Sequence, residues 1–393
     1  MVTADQDVLP HSAVVPSLAD LTTLRVGGPV VSYVEATTEQ ELLDAVRAAD
    51  ETGTPLLVVG GGSNLLVADE GFDGVVVRDV RRGLDVASED ACGGAVVSAP
   101  AGQSWDDLVR EAVDAGWYGI EALSGIPGTV GAAPVQNIGA YGQEVASTLA
   151  SVRVWDRAQG RVRTLTNSEL GFGYRTSILK RSMQAAGRQE GEGDPLAPWY
   201  PTPRHIVLDV TLQMRLGTLS GPIAYSQLAG RLGAEQGDRV PSRDVRDAVL
   251  ELRSGKGMVL DDPDAPDHDR WSAGSFFTNP IVPVGLAERL PAGAPRFAVR
   301  GTAEPGREAS VDPAHVKTSA AWLIQHAGFA PGFGLVGEHS PARLSTKHTL
   351  ALTNRGGARA EDLVALARAV RDGVRECFGI TLDPEPVLVG VAL

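Results

Sequence analysis

Apolar positions along the chain fall into short segments whose spacing switches between the helical and the strand period. Leu42, Leu43, Val46 and Ala49 recur on one helical face. Thr38 and Glu41 ahead of them form a capping-box pattern, and Gly53 with Pro55 closes the segment. The run 56–59 reads as a buried strand that leads straight into Gly60-Gly61-Gly62-Ser63-Asn64, and 75–77 is a second strand. Leu108, Ala112 and Val113 mark another helix, opened by Ser104 and Asp107 and ended near Gly116. Residues 152–155 and 161–165 predict a hairpin turning near Gln159-Gly160, and 206–214 returns to strand character. Helices are expected over 318–326 and 361–377, the latter burying Leu363, Leu366, Ala367, Val370 and Val374. A last strand, 387–389, needs a sheet to pair with and is expected to return to the first domain. The pattern predicts a multi-domain α+β protein, with 182–203 as a polar, exposed excursion.

Composition narrows the function. At 43% hydrophobic and 21% charged, the 393 residues describe an ordinary folded protein with room for two or three cores. A formal net charge of −14 argues against nucleic-acid partners and anionic membrane surfaces. An anionic small molecule would need a local cationic pocket. The two cysteines, Cys92 and Cys377, lack metal-ligand or disulfide-framework spacing, and the seven histidines are scattered, so no metal is expected. Residues 1–17 lack a basic segment followed by an apolar one, and no apolar run is long enough to span a bilayer. A cytoplasmic location is expected.

Two glycine-rich segments are candidates for ligand binding. Gly60-Gly61-Gly62-Ser63-Asn64 follows a strand, where converging backbone N–H groups can cradle an anion. It is neither a Walker A loop nor a Rossmann fingerprint, since Leu65 replaces the third glycine. Taken alone, a simple glycine turn accounts for it better. The stretch from Gly125 to Gly142 is almost uncharged and rich in small residues. Its backbone groups need partners if buried. Either a flat, heteroatom-rich ligand or a tightly packed crossover meets that need.

In order, these loops, Phe172-Gly173-Tyr174-Arg175-Thr176-Ser177, Gly274-Ser275-Phe276-Phe277-Thr278-Asn279-Pro280 and Pro384-Glu385 resemble the motifs of the UDP-N-acetylenolpyruvoylglucosamine reductases. That family lies in the vanillyl-alcohol-oxidase-type flavoprotein superfamily. The resemblance runs from about residue 21 to the end. It implies an FAD-binding module of two α/β subdomains, 1–80 (completed by 378–393) and 81–256, plus an α+β substrate domain, 257–377. It further implies non-covalent FAD held by Gly60, Gly61, Gly62, Ser63, Asn64, Leu65, Ile126, Gly128, Gly131, Asn137, Gly139, Ala140 and Tyr141, with NADPH as reductant.

The implied reaction reduces the enolpyruvyl ether of UDP-N-acetylglucosamine to UDP-N-acetylmuramate. Hydride passes from flavin N5 to C3 and a proton from Ser275 to C2, while Arg175 and Glu385 stabilise the enolate-like charge. Those residue types suit the chemistry: a guanidinium grips a carboxylate with a planar, permanently charged fork. A serine hydroxyl is a weak acid that serves where the receiving carbon is strongly basic. Asp383 and Pro386 around Glu385 depart from the usual family form. Tyr174, Tyr225, Lys256 and Asn279 match substrate-binding positions, the lysine and tyrosines suiting a diphosphate. A monomer is expected. Two other readings remain at this level: an oxidase of the same superfamily, and an inactive nucleotide-binding descendant.

Overall fold

The computed structural model describes residues 15–183, 199–262, 264–300 and 311–393, with the Arg300 side chain left aside. The core of the expected excursion, 184–198, and most of the N-terminal segment, 1–14, lie outside the described residues.

The first layer is a parallel sheet in which Phe72–Asp79 lies between Val30–Ala36 and Leu56–Val59. The helix Glu39–Thr52 begins as its capping box dictates. Thr38 Oγ1 accepts from Glu41 N at 3.2 Å, and Glu41 Oε2 accepts from Thr38 N at 3.1 Å. Its apolar face packs on Leu56 and Val77, and also on Trp155, Ile206 and Leu208 of the second sheet. One side chain set thus glues two sheets together.

The second sheet is antiparallel, ordered Arg161–Thr166, Leu149–Asp156, His205–Leu216, Gly94–Pro100, Asp85–Asp90. The helix Trp105–Asp114 covers it, burying Trp105, Leu108, Val109, Ala112 and Val113. Its N-cap Ser104 also bridges to Thr129, which pins the second glycine-rich segment to this helix.

The third layer joins the sheet Ile281–Pro283, Val311–Lys317, Phe297–Arg300 to the helices Ala320–His326 and Ala360–Phe378. Its core includes Phe276 and Phe277 and reaches back to Leu24, Val26 and Leu66. The terminal strand Val387–Val389 pairs in parallel with Leu65–Val67, directly after the first glycine loop. This pairing brings the chain's C-terminal segment to the cradle that Gly60–Asn64 forms. A 14-residue helix, Ser242–Gly255, was passed over in the sequence pattern; Val245, Ala248 and Val249 bury its inner face.

Candidate active site

The two glycine segments meet back to back. A Cβ on Gly61 would stand 2.7 Å from the Gly128 Cα, so only the bare backbone allows this approach. Ser63 Oγ locks the contact by donating to Pro127 O at 2.9 Å. Among the described residues, no acceptor meets the N–H groups of Gly60, Gly61, Gly62 and Ser63. Four donors without an acceptor on one loop are what an anion-binding cradle requires.

The second segment behaves differently from expectation. Val130 and Gly131 donate to Gln103 O and Ala101 O, at 2.8 and 2.9 Å, and Ala132, Ala133, Val135 and Ile138 donate within the segment. Much of its backbone is therefore satisfied by a packed crossover, and the ligand demand is smaller than the sequence suggested. Asn137 does not face the cavity. It is buried with φ +50°, donating to Glu144 Oε2 and Gly173 O and accepting from Ala146 N. Its side-chain amide thus goes into holding the turn.

Between the loops and the third layer lies a cavity of about 1250 Å³, roomy enough for a dinucleotide cofactor and a second ligand. Of the residues expected to hold the cofactor, all but Asn137 line it. The free donors of 60–63, the close glycine contact and this volume fit FAD.

Arg175, Ser275 and Glu385 share that cavity. Gly173 and Thr176 exchange backbone hydrogen bonds around Tyr174-Arg175, and the tight turn puts Arg175 at φ +53°. A left-handed arginine is strained backbone kept in place by its surroundings. Ser177 secures it by donating to Val135 O at 2.6 Å while capping the next turn. Arg175 Nη2 donates to Gly139 O at 2.8 Å, and Nε sits 3.2 Å from Glu385 Oε1.

Glu385 is placed by an antiparallel contact: its N–H donates to Phe276 O at 2.8 Å, and Pro384 bridges Phe277. Ser275 precedes this contact, after Gly274 at φ +70°. Hence the serine and the glutamate arrive together. Asp383 stays exposed and contributes its carbonyl to Thr278 N at 3.0 Å, while Pro386 is buried. Neither residue's side chain blocks Glu385. Burial pushes the Glu385 carboxyl above the usual range, against the pull of Arg175, Lys180 and a Gln136 hydrogen bond.

The expected substrate residues all line the cavity, in different states of engagement. Tyr225 is 47% exposed and meets Tyr141 edge-on at 5.8 Å. Lys256 donates to Gln227 Oε1 at 2.9 Å, and burial and then Arg253 depress its pKa. Asn279 has its Oδ1 committed to Ala320 N, and its own N–H donates to the Tyr174 hydroxyl at 3.3 Å. Burial raises the Tyr174 pKa.

Among the lining residues that sequence reasoning missed are Gln136, Lys180, Arg253 and Lys317. Arg253 is buried without an ion pair among the described residues, and burial pushes its pKa down to about 10. It precedes Lys256 by one helical turn, the signal that could have exposed it. Lys317 lies 4.5 Å above the Tyr174 ring. Together with Arg175, Lys180 and Lys256, these groups make a cationic cavity in an acidic protein. Among the described residues, no group of three or more His, Cys, Asp or Glu could hold a metal ion, and no helix is long and apolar enough to cross a membrane.

Comparison with known proteins identifies the relatives of the chain. A family model described as an FAD binding domain matches residues 31–166, and one described as the UDP-N-acetylenolpyruvoylglucosamine reductase C-terminal domain matches 265–389. The UDP-N-acetylenolpyruvoylglucosamine reductase of Cutibacterium acnes is 52% identical over 376 residues, covering 96% of this chain and 90% of the relative. That of Nocardia farcinica is also 52% identical over 376 residues, covering 96% and 89%. Among solved structures, UDP-N-acetylenolpyruvylglucosamine reductase from Thermus caldophilus superposes with a TM-score of 0.57 at 27% identity, over 95% of this chain and 97% of that one.

Proposed function

The chain belongs to the UDP-N-acetylenolpyruvoylglucosamine reductase family and is an FAD-dependent oxidoreductase; from that premise we propose that it reduces the enolpyruvyl ether of UDP-N-acetylglucosamine with NADPH. The product is UDP-N-acetylmuramate, a peptidoglycan precursor. What carries this reading is the convergence of Arg175, Ser275 and Glu385 on the cavity that the glycine loops border. Residues 1–80 with 378–393 and 81–256 form the cofactor module, 257–377 is the substrate domain, and side chains of both reach the substrate.

A flavin held at the 60–65 loop would supply the hydride that C3 of the enolpyruvyl group receives. Negative charge then builds at C2 and spreads into the neighbouring carboxylate. Arg175 meets that carboxylate with a guanidinium already tethered to Gly139 O, so little reorganisation is needed as charge develops. Ser275 gives its hydroxyl proton to C2 and recovers one from solvent. Its hydroxyl has no hydrogen-bond partner among the described residues, and the next two residues, Phe276 and Phe277, anchor it by packing in the third-layer core rather than by lining the cavity. Glu385, held close to Arg175, polarises the forming enolate. Lys256, Lys317, Tyr174, Tyr225 and Asn279 take the sugar-nucleotide end, where a diphosphate answers the lysines.

Steady oxidation of NADPH that requires the enolpyruvyl sugar nucleotide, yields the lactyl ether by mass and forms little peroxide supports this function. NADPH oxidation that proceeds without the sugar nucleotide and yields peroxide identifies an oxidase instead.

A further inference from the structure

Glu385 does not stand in the cavity wall unaided. Its Oε1 faces two donors, Arg175 Nε at 3.2 Å and Gln136 Nε2 at 3.2 Å. No hydrogen bond reaches Oε2 among the described residues. The Gln136 amide is itself fixed. Its Oε1 accepts from Asn64 Nδ2 at 3.0 Å and from Lys180 Nζ at 3.3 Å. A lysine ammonium only donates, so the amide oxygen must face it and the amide nitrogen must face Glu385. Asn64 closes the ring by donating also to the Glu385 carbonyl at 3.3 Å. Lys180 forms no ion pair among the described residues, so this amide is its one hydrogen-bonded anchor there.

Resting on the reading of Glu385 as a reacting group, we propose that Gln136 and Lys180 are positioning residues for it. Lys180 and Asn64 clamp the amide oxygen, the amide nitrogen then occupies Glu385 Oε1, and Oε2 is left as the edge presented to substrate. When Glu385 is neutral, its proton sits on Oε2, since Oε1 already accepts from two sides. The charged or titratable groups facing Glu385 are Arg175, Lys180 and the Tyr174 phenol. Lys180 and the Gln136 amide both favour the ionised carboxylate over the neutral one. Removing either must therefore move the Glu385 titration to higher pH.

The test uses FAD-loaded Gln136→Leu, Lys180→Met, Lys180→Arg and Glu385→Gln. Single-turnover reduction of the sugar nucleotide by prereduced enzyme is followed against pH, beside flavin reduction by NADPH. The infrared carboxyl band that Glu385→Gln abolishes reports the Glu385 proton directly. Gln136→Leu and Lys180→Met should slow the substrate step by about 10- to 100-fold, as expected for a misplaced reacting group. Both should move the Glu385 limb and the infrared titration upward in pH, with the NADPH step near its wild-type rate. Lys180→Arg should restore most of the substrate rate. An unmoved limb and unmoved infrared titration in both variants, with Glu385→Gln crippled, overturn the proposal alone. Equal loss of both half-reactions, or loss of FAD, makes the amide merely structural and overturns it too. A Glu385→Gln enzyme at wild-type rate instead overturns the reading of the site.

Discussion

Arg175 and Glu385, from opposite halves of the sequence, form an ion pair at 3.2 Å whose side chains are 22% and 12% exposed. The pair is partly dry, so it senses both the protein and whatever fills the cavity. A left-handed turn aims the arginine, and an antiparallel contact with Phe276 and Phe277 aims the glutamate.

That arrangement makes Arg175→Lys a severe change despite its conserved charge. A lysine cannot hold the Gly139 carbonyl and present a planar fork to a carboxylate at once. We expect the substrate step to fall by about 10²- to 10³-fold, the range for losing one transition-state donor. FAD content should stay at the wild-type level. Rapid-mixing kinetics and the visible flavin spectrum read the two effects separately.

Gly61→Ala tests the cradle. The new methyl carbon would lie 2.7 Å from the Gly128 Cα and 3.2 Å from its nitrogen, and backbone on both sides leaves no flexible group to give way. Overpacking of this kind costs about 1–3 kcal/mol. The variant should unfold more readily and purify with little flavin, measured by calorimetry and by flavin-to-protein absorbance.

His348 supplies a pH dependence. Burial and then Lys256 push its pKa down to about 4 from the ordinary 6.5. Between those values the unfolded chain binds a proton that the folded chain refuses. Stability contributed by this site is full above pH 6.5 and is lost as pH falls toward 4. The loss amounts to on the order of 3 kcal/mol at the acid end. His348→Gln should flatten that part of the denaturation-midpoint profile while leaving the neutral region nearly unchanged.

Much of this was legible in the sequence where the signals are local. The capping box at Thr38 and Glu41 set the start of Glu39–Thr52, and the runs 152–155 and 161–165 with the turn at Gln159-Gly160 fall within the hairpin strands Leu149–Asp156 and Arg161–Thr166. Ordered motifs located Arg175, Ser275 and Glu385. The signals that failed are non-local. Nothing near Val130 or Gly131 says that their N–H groups will meet the carbonyls of Gln103 and Ala101. Asn137 looked like a cofactor donor because a glycine-rich strip does not reveal which amide turns inward. Gln136, its neighbour, faces the cavity and was passed over. Lys180 and Lys317 reach the cavity through partners distant in sequence, Gln136 and the Tyr174 ring.

The most direct measurement starts from enzyme whose flavin has been photoreduced with a sacrificial electron donor such as EDTA, without NADPH and under strict exclusion of oxygen. One equivalent of the enolpyruvyl sugar nucleotide is added and the flavin spectrum is followed. Wild type should reoxidise in a single turnover and yield one equivalent of the lactyl ether, whereas Ser275→Ala should do so about 10²- to 10⁴-fold more slowly. Flavin that stays reduced in the wild-type enzyme, or reoxidises equally fast in both proteins, contradicts the account.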